Sequence, residues 1–350
     1  MTRFGLFGHS TGFPSGIAVS FVPPSSSEPV YAAIDLGTNN CRMLAARPGP
    51  RGYRVVDCFS RITRLGEGLA ATGRLSAGAM ARTVDALKIC ADRMARCRVT
   101  RARLVATEAC RRAANHHEFA AQVMTSTGLE LDIITPAEEA ALALAGCAAL
   151  LDDHVSQALV FDIGGGSTEL MWVGRKNGNP VIEGFLSLPL GVVTLSERQG
   201  AALNEPAGYD RLVADIARQL APFGDRHGIA GAVTGKSMQM LGTSGTVTTL
   251  GALSLDLGRY DRHAVDGLDL GFGAIVSVTR RLMAMGAAER AAHPCIGPER
   301  ADLVLAGCAI LEAMCRLWPL GVLRVADRGV REGVLVTLMG SAVAASEWGA

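Results

Sequence analysis

Two short stretches of this chain carry residues that together could hold phosphate and a hard cation. In YAAIDLGTNNCRMLAA an apolar run ends at Asp35 and meets Gly37, Thr38 and Asn39. In ALVFDIGGGSTELMWV the same order recurs, with Asp162 followed by Gly164, Gly165, Gly166, Ser167 and Thr168. Turns without side chains let backbone N–H groups come close to an anion, and a neighbouring carboxylate can hold a hydrated cation. A GGGS run also suits a flexible linker, but linkers are not set between VFDI and TELMWV without further polar padding. Asp162 taken alone reads as an ordinary turn-capping aspartate; the repeat makes the metal-holding carboxylate the better reading. Two such hairpins predict a duplicated domain pair gripping phosphate and metal between its halves.

A third stretch, Gly242, Thr243, Ser244, Gly245 and Thr246, leads from an apolar run into a helix. Backbone N–H groups at a helix start attract anions, so this loop is the third side of a phosphate cage. Thr135-Pro136-Ala137-Glu138 reads as a capping box with proline in the first turn, which gives Glu138 a structural role. Glu139 does not fit the box. It serves either the helix dipole or, facing a cleft, a general base for a water behind a terminal phosphorus. Glu169 follows the glycine loop and is a metal-site acid or a solvated one. Arg111 could clamp phosphate or lie at the surface, and His116 and His117 lack partners at ligand spacing.

These residues need elements to hold them. Strands are expected near 30–35, 41–47 and 52–60, then a helix capped by Ser76 running to Cys97, with Met80, Val84, Leu87, Ala91 and Met94 along one face. A strand ends at Ala106, a helix covers 116–126, LELDIITP is a strand, and AEEAALALAGCAALL is an apolar, buried helix. Three strands (157–163, 168–174, 180–188) open the second half. Helices near 191–199 and 208–223, a strand ending at Leu241, helices near 271–284 and 299–317, a strand LGVLRVAD and a last helix REGVLVTL complete it. Hairpins alternating with helices in both halves predict α/β domains with mixed sheets, divided near 150–156.

Composition bounds the partners. The 350 residues are 49% hydrophobic and 19% charged, with net charge +1, which makes no whole-chain case for nucleic acid or membrane. Only three basic residues are lysine (88, 176, 236), leaving 31 arginines among 34. Genome bias explains the ratio most simply. The sharper reading is polyanion binding by Arg93, Arg96, Arg98, Arg101, Arg103, Arg111 and Arg112, which crowd one stretch. Nine scattered cysteines without a CxxC pair predict reduced thiols in a cytoplasmic protein. The most apolar stretch, Ala301 to Leu323, is interrupted by Asp302, Glu312, Arg316 and Pro319, so no membrane span is expected. Residues 1–29, rich in Gly, Ser and Pro, read as a disordered tail.

On these residues the chain resembles the exopolyphosphatase/guanosine pentaphosphate phosphatase family, within the actin-like, sugar-kinase and Hsp70 ATPase superfamily. AIDLGTNNCRMLAA resembles the family's first phosphate motif, VFDIGGGSTEL its second and GTSGT its third. RLGEGLAATGRLS, ATEACRRA, ERADLVLAGCAIL and VREGVL match further landmarks, so the resemblance runs from about residue 30 to about 340. It implies two ribonuclease-H-like domains, 30–150 and 151–350, with the site in the cleft between them and a last helix able to pack back on the first. It implies Mg²⁺-dependent release of the terminal phosphate from inorganic polyphosphate or guanosine pentaphosphate. Glu139 matches the family's catalytic glutamate, Asp162 and Glu169 residues near metal and phosphate, and Asp35, Thr38, Asn39 and Arg111 the opposite wall. Three departures stand out: Ala140-Ala141 replaces Ala-Arg, Asp327-Arg328 replaces Asp-Gly, and the additional C-terminal helical region of long members is absent, which weakens processive action on long chains.

A superfamily kinase would need an acceptor pocket and an adenosine site, and no separate motif marks either. A nucleotide-driven switch of the actin or Hsp70 kind usually carries larger insertions. A catalytically dead guanosine tetraphosphate sensor is argued against by Glu139. The expectation is therefore a phosphohydrolase on polyphosphate, with the guanosine nucleotide as the alternative substrate and a homodimer left open.

Overall fold

The computed structural model describes residues 28–50 and 52–347. The expected N-terminal tail lies outside the described residues, except for Glu28 and Pro29. The first half holds strands β1 (Val30–Leu36), β2 (Asn40–Gly49), β3 (Gly52–Ile62), β4 (Val99–Ala106) and β5 (Leu131–Ile133). Its helices are α1 (Leu69–Thr72), α2 (Ala77–Arg96), α3 (Glu108–Arg112), α4 (His116–Thr127) and α5 (Pro136–Cys147). The second half holds β6 (Gln157–Ile163), β7 (Thr168–Lys176), β8 (Asn179–Leu188), β9 (Met238–Thr243), β10 (Asp269–Gly271) and β11 (Val322–Ala326). Its helices are α6 (Val192–Gln199), α7 (Pro206–His227), α8 (Ile229–Thr234), α9 (Gly245–Ser254), α10 (Arg262–Val265), α11 (Phe272–Ala284), α12 (Ala287–Ala292), α13 (Val304–Leu317) and α14 (Val330–Glu347).

The duplication is visible in the pairing. The first sheet runs β3-β2-β1-β4-β5, and the second, read from the matching edge, runs β8-β7-β6-β9-β11-β10. In both, two antiparallel hairpins are followed by two parallel neighbours. The second adds one short antiparallel strand, β10. This is the duplicated α/β arrangement expected from the motifs, in the ribonuclease-H-like form that the family resemblance implies. Both opening hairpins turn alike: the Gly37 N–H donates to Asn40 O at 2.9 Å, and the Gly164 N–H donates to Ser167 O at 2.9 Å.

Helix α2 starts where Ser76 Oγ accepts from the Ala79 N–H at 3.2 Å, and it buries Val84, Leu87, Cys90 and Met94 against the first sheet. The helix expected from residue 299 begins only at Val304, after a run of turns. Among the described residues seven of the nine cysteines are buried and all are free thiols, with Cys58 exposed and Cys97 partly so. No helix among the described residues is long and apolar enough to cross a membrane.

Helices α5 and α14 form a layer between the sheets. Leu142, Ala143, Leu144 and Cys147 of α5 and Val330, Val334, Leu335 and Met339 of α14 share one buried cluster with Tyr31, Leu44, Val160 and Met171 of the two sheets. The last helix therefore packs back onto β1 and β2 while its first turn faces the second half. A side chain on Gly146 would collide with the Gly329 carbonyl, and one on Gly333 with the Leu142 carbonyl. Glycine at both positions lets the two backbones touch.

Gly333→Ala should therefore destabilise the protein by about 1–3 kcal/mol, the usual range for overpacking. Gly340, on the same helix, has no atom within 4 Å of a built Cβ, so Gly340→Ala should be neutral or stabilising by up to ~1 kcal/mol. Urea unfolding of both variants checks the pair; equal effects would mean that the crossing is not tight.

Candidate active site

The two hairpin turns meet face to face. A Cβ on Gly165 would stand 3.0 Å from Thr38 Cβ and 3.2 Å from the Asn39 nitrogen. One on Gly166 would stand 2.7 Å from Thr38 Oγ1 and 3.0 Å from Glu108 Cγ. Only side-chain-free residues allow this approach, so the glycines serve the closeness of the two halves as well as access to an anion. Between the turns lies a cavity of about 120 Å³. Its wall includes every residue expected of the first turn (Asp35, Gly37, Thr38, Asn39) and of the second (Asp162, Gly164, Gly165, Gly166, Ser167).

The third loop contributes only its later part. Ser244, Gly245 and Thr246 line the cavity, whereas Gly242 and Thr243 belong to β9. Gly242 is glycine because Phe161 packs over it, with a built Cβ 2.5 Å from Phe161 Cζ. Thr243 Oγ1 donates to Arg328 O at 2.5 Å. Of the five loop residues expected to face an anion, only the last three stand on the wall of this cavity. Ser244 caps α9, its Oγ accepting from the Val247 N–H at 3.3 Å, with φ 137° and ψ 168°. Only glycine ordinarily occupies that region, and holding serine there costs on the order of 1–3 kcal/mol, a strain that clusters at ligand-facing turns.

Glu139 reaches the cavity from the first turn of α5. Its Oε2 accepts from Arg111 Nη1 at 2.7 Å, and Oε1 has no hydrogen-bond partner among the described residues. Arg111 also donates to Glu108 Oε2 at 3.1 Å and to Ile134 O at 2.9 Å. Arg111 is thus filled by protein acceptors and stands behind the wall; it orients Glu139 instead of clamping phosphate directly. The capping box is half made: Thr135 Oγ1 accepts from the Glu138 N–H at 3.1 Å, but the Glu138 carboxylate turns to Arg103 at 2.6 Å. Arg103 draws it away with a charge-assisted bond, stronger than the neutral one the box offers.

Asp162 stands opposite Glu169 across β6 and β7. Glu169 is not solvated; it is 2% exposed, and Ser187 Oγ donates to its Oε1 at 2.9 Å. Enclosure, then the charges of Glu169 and Asp35, push the Asp162 carboxyl up to about 7. Burial, then the Glu169 charge, holds Glu139 well above the ordinary carboxylate range, with Arg111 pulling it partway back. Burial also raises Asp35 and Glu169.

Two arginines of the cavity escaped the motif reading. Arg42 follows Asp35 by seven residues, as Glu169 follows Asp162, and it pairs with Asp35 across the hairpin register. Superposing the two motifs residue by residue would have found it. Arg300 lies in ERADLVLAG, and nothing in its spacing distinguishes it from a surface arginine. Both line the cavity, from opposite halves, and neither forms an ion pair or side-chain hydrogen bond among the described residues. Burial, then repulsion by Arg42, lowers the Arg300 pKa. Two like charges left unpaired in one cavity mark a place for a multiply charged anion. The departures from the family pattern fall elsewhere: Ala141 is exposed and off the cavity wall, and Arg328 Nε donates to Asp266 Oδ2 at 2.8 Å.

Among the described residues no three His, Cys, Asp or Glu side chains converge to hold a metal by themselves. The site nevertheless fits a hard cation that keeps water and shares substrate oxygens. Asp162 faces the cavity, and the Oδ1 atoms of Asn39 and Asn40, on the same wall, are buried without a partner.

The raised Asp162 pKa has a consequence for stability. A carboxyl whose folded pKa lies above its unfolded value of about 3.9 stabilises the fold below that pH. That contribution is lost as pH rises through the folded value of about 7. Asp162→Asn, measured by thermal unfolding in EDTA, should gain in Tm over the wild type at pH 8 and not at pH 4. An equal Tm difference at the two pH values would show that Asp162 ionises without opposition.

Comparison with known proteins supplies the family. Residues 50–342 match the model of the Ppx/GppA phosphatase family. The chain is 32% identical over 326 residues to exopolyphosphatase 2 of Mycobacterium tuberculosis, covering 88% of this chain and 98% of that protein. The crystal structure of the Aquifex aeolicus Ppx/GppA family member superposes with a TM-score of 0.73 at 29% identity, over 90% of this chain and 98% of that one. An exopolyphosphatase-like protein gives a TM-score of 0.80 at 29% identity, over 89% and 98% of the two chains. With these matches spanning nearly all of the folded chain, and with both glycine turns and Glu139 in one cleft, the protein belongs to the Ppx/GppA phosphatase family.

Proposed function

We propose that this protein is an exopolyphosphatase that removes the terminal phosphate of inorganic polyphosphate by attack of water. One observation carries the reading: Glu139 has one oxygen held by Arg111 and the other free toward a cavity walled by two glycine turns. The family and the name of the mycobacterial relative support the same reaction class.

The terminal phosphoryl group would lie between the Thr38–Asn39 turn and the Gly165–Gly166 turn, close to their backbone N–H groups. The start of α9, at Ser244 and Gly245, adds donors and the positive end of a ten-residue helix. Arg42 and Arg300 would take the oxygens of the phosphates that follow. Phosphoryl transfer needs mainly positioning and neutralisation of charge, and these groups are set before substrate arrives, so little reorganisation remains at the transition state. Glu139 Oε1 would accept a hydrogen bond from the attacking water and then its proton. A carboxylate raised toward neutrality is better suited to that task than one near 4. Mg²⁺, held by Asp162 with Glu169 behind it, would supply neutralisation of the phosphoryl oxygens.

The deciding experiment is Mg²⁺-dependent phosphate release measured side by side on a polyphosphate length series and on guanosine pentaphosphate. Release from polyphosphate supports the proposal. Release from the nucleotide alone would transfer the same machinery to the guanosine substrate, and release from neither would overturn the enzyme reading. Glu139→Gln should lower kcat by about 10²–10⁴-fold, the usual contribution of a positioned acid or base, with binding preserved. Arg111→Met should move the acidic limb of the kcat profile to higher pH, because Glu139 loses the charge that lowers its pKa. An unmoved limb would detach Arg111 from the base.

A further inference from the structure

The arginines crowding residues 93–112 are only partly used by the site. Arg93 pairs with Asp57, Arg103 with Asp132 and Glu138, and Arg111 with Glu108 and Glu139. Arg96 and Arg98 are exposed, and their side chains have no ion pair or hydrogen bond among the described residues. Two arginines from the neighbouring strands β2 and β3 join them. Arg47 and Arg54 stand directly opposite each other on β2 and β3. Neither has an ion pair among the described residues, and Arg47 Nε is buried without an acceptor. Like charges directly opposite in an antiparallel pair repel. The acid nearest to them, Asp57, lies three residues from Arg54 and accepts from Cys97 Sγ at 4.0 Å, but it is taken up by Arg93 at 2.8 Å and pairs with none of the four.

Backbone register brings the four together. Strands β3, β2, β1 and β4 lie side by side. Tyr31 pairs with Ala46, so Arg47 lies level with Val30, and Val30 pairs with Val99, next to Arg98. At about 4.8 Å per strand, the row from Arg54 through Arg47 to Arg98 spans about 15 Å. Arg96 extends it from the end of α2. This is the end of the sheet remote from the cleft: Val30 starts β1, and Asp35 lies about 17 Å farther along it at 3.3 Å per residue.

We propose that Arg47, Arg54, Arg96 and Arg98 form an accessory docking site for a polyanion, the distal part of a long polyphosphate whose terminus occupies the cleft. The identity of the polyanion rests on the exopolyphosphatase reading. Four arginines at one end of the sheet, with the acid beside them already paired with Arg93, suit a linear string of phosphates, each of which a planar fork can grip in a bidentate manner. A short oligophosphate bound in the cleft does not reach the row; a long chain does. Several phosphate contacts also release counter-ions, so binding through the row is salt-sensitive.

The test compares wild type with Arg47→Ser/Arg54→Ser/Arg96→Ser/Arg98→Ser, using tetrapolyphosphate and long-chain polyphosphate as substrates. The expected result is a KM for the long chain raised about tenfold, with kcat and the tetrapolyphosphate constants unchanged. Direct binding of long-chain polyphosphate in the Glu139→Gln background should weaken likewise and lose part of its salt dependence. This binding arm stands even if no hydrolysis is found, so failure of the enzyme reading and failure of the docking site are told apart. The fourfold lysine variant, which keeps charge and surface, should retain most of the long-chain affinity and guards against misfolding of the serine variant. An unchanged long-chain KM and affinity would overturn the proposal. So would equal losses on both substrates, or displacement of polyphosphate by single-stranded DNA at lower concentration, which would make the row a nucleic-acid surface.

Discussion

The backbone contact between α5 and α14 at Gly146 and Gly333 is the constraint on which the rest depends. It lets two helices fit in the layer between the sheets, so that one buried cluster draws on both halves. Helix α5 carries Glu139 in its first turn, and α14 begins beside Asp35 and Asp162. Packing at the centre therefore sets the distance from Glu139 to the two glycine turns. An interior this dense has few alternative arrangements, and the position of Glu139 inherits that stiffness.

The cleft is electrostatically unfavourable before anything binds. Asp35, Asp162, Glu139 and Glu169 are all pushed upward, chiefly because enclosure disfavours their charged forms. Two arginines of the same cavity, one from each half, have no ion-pair partner among the described residues. Ser244 is held in backbone space that suits glycine. Each feature costs stability, and the hydrophobic clusters on either side supply it. A cation and a polyanion entering together would relieve both sets of charges, so binding and neutralisation are the same event.

Arg111 acts on its surroundings through protein groups alone. It is nearly enclosed and donates to Glu108, Glu139 and a backbone carbonyl. A charge so satisfied has little left for a phosphate. Its effect passes through Glu139, by orientation and by holding down a pKa that burial raises. Arg42 and Arg300 are in the opposite state, facing the cavity with their donors free.

Much of this was legible in the chain. Hairpin turns at Asp35-Leu36-Gly37 and Asp162-Ile163-Gly164 depend on local rules, glycine where side chains cannot fit and apolar alternation before it, so their positions and the duplication could be read directly. The Ser76 cap and the apolar helix from Pro136 were local in the same sense. What tertiary structure alone decided were the partners. Glu138 met Arg103 and not its own box, Glu169 was buried beneath Ser187, and Gly242 proved to serve Phe161. Arg300 joined Arg42 from more than 250 residues away. Such pairings arise from long-range packing, which places a side chain in a medium that its neighbours in sequence do not reveal. Residue type and spacing determine which chemistry is possible; burial and the charges brought alongside determine which residues perform it.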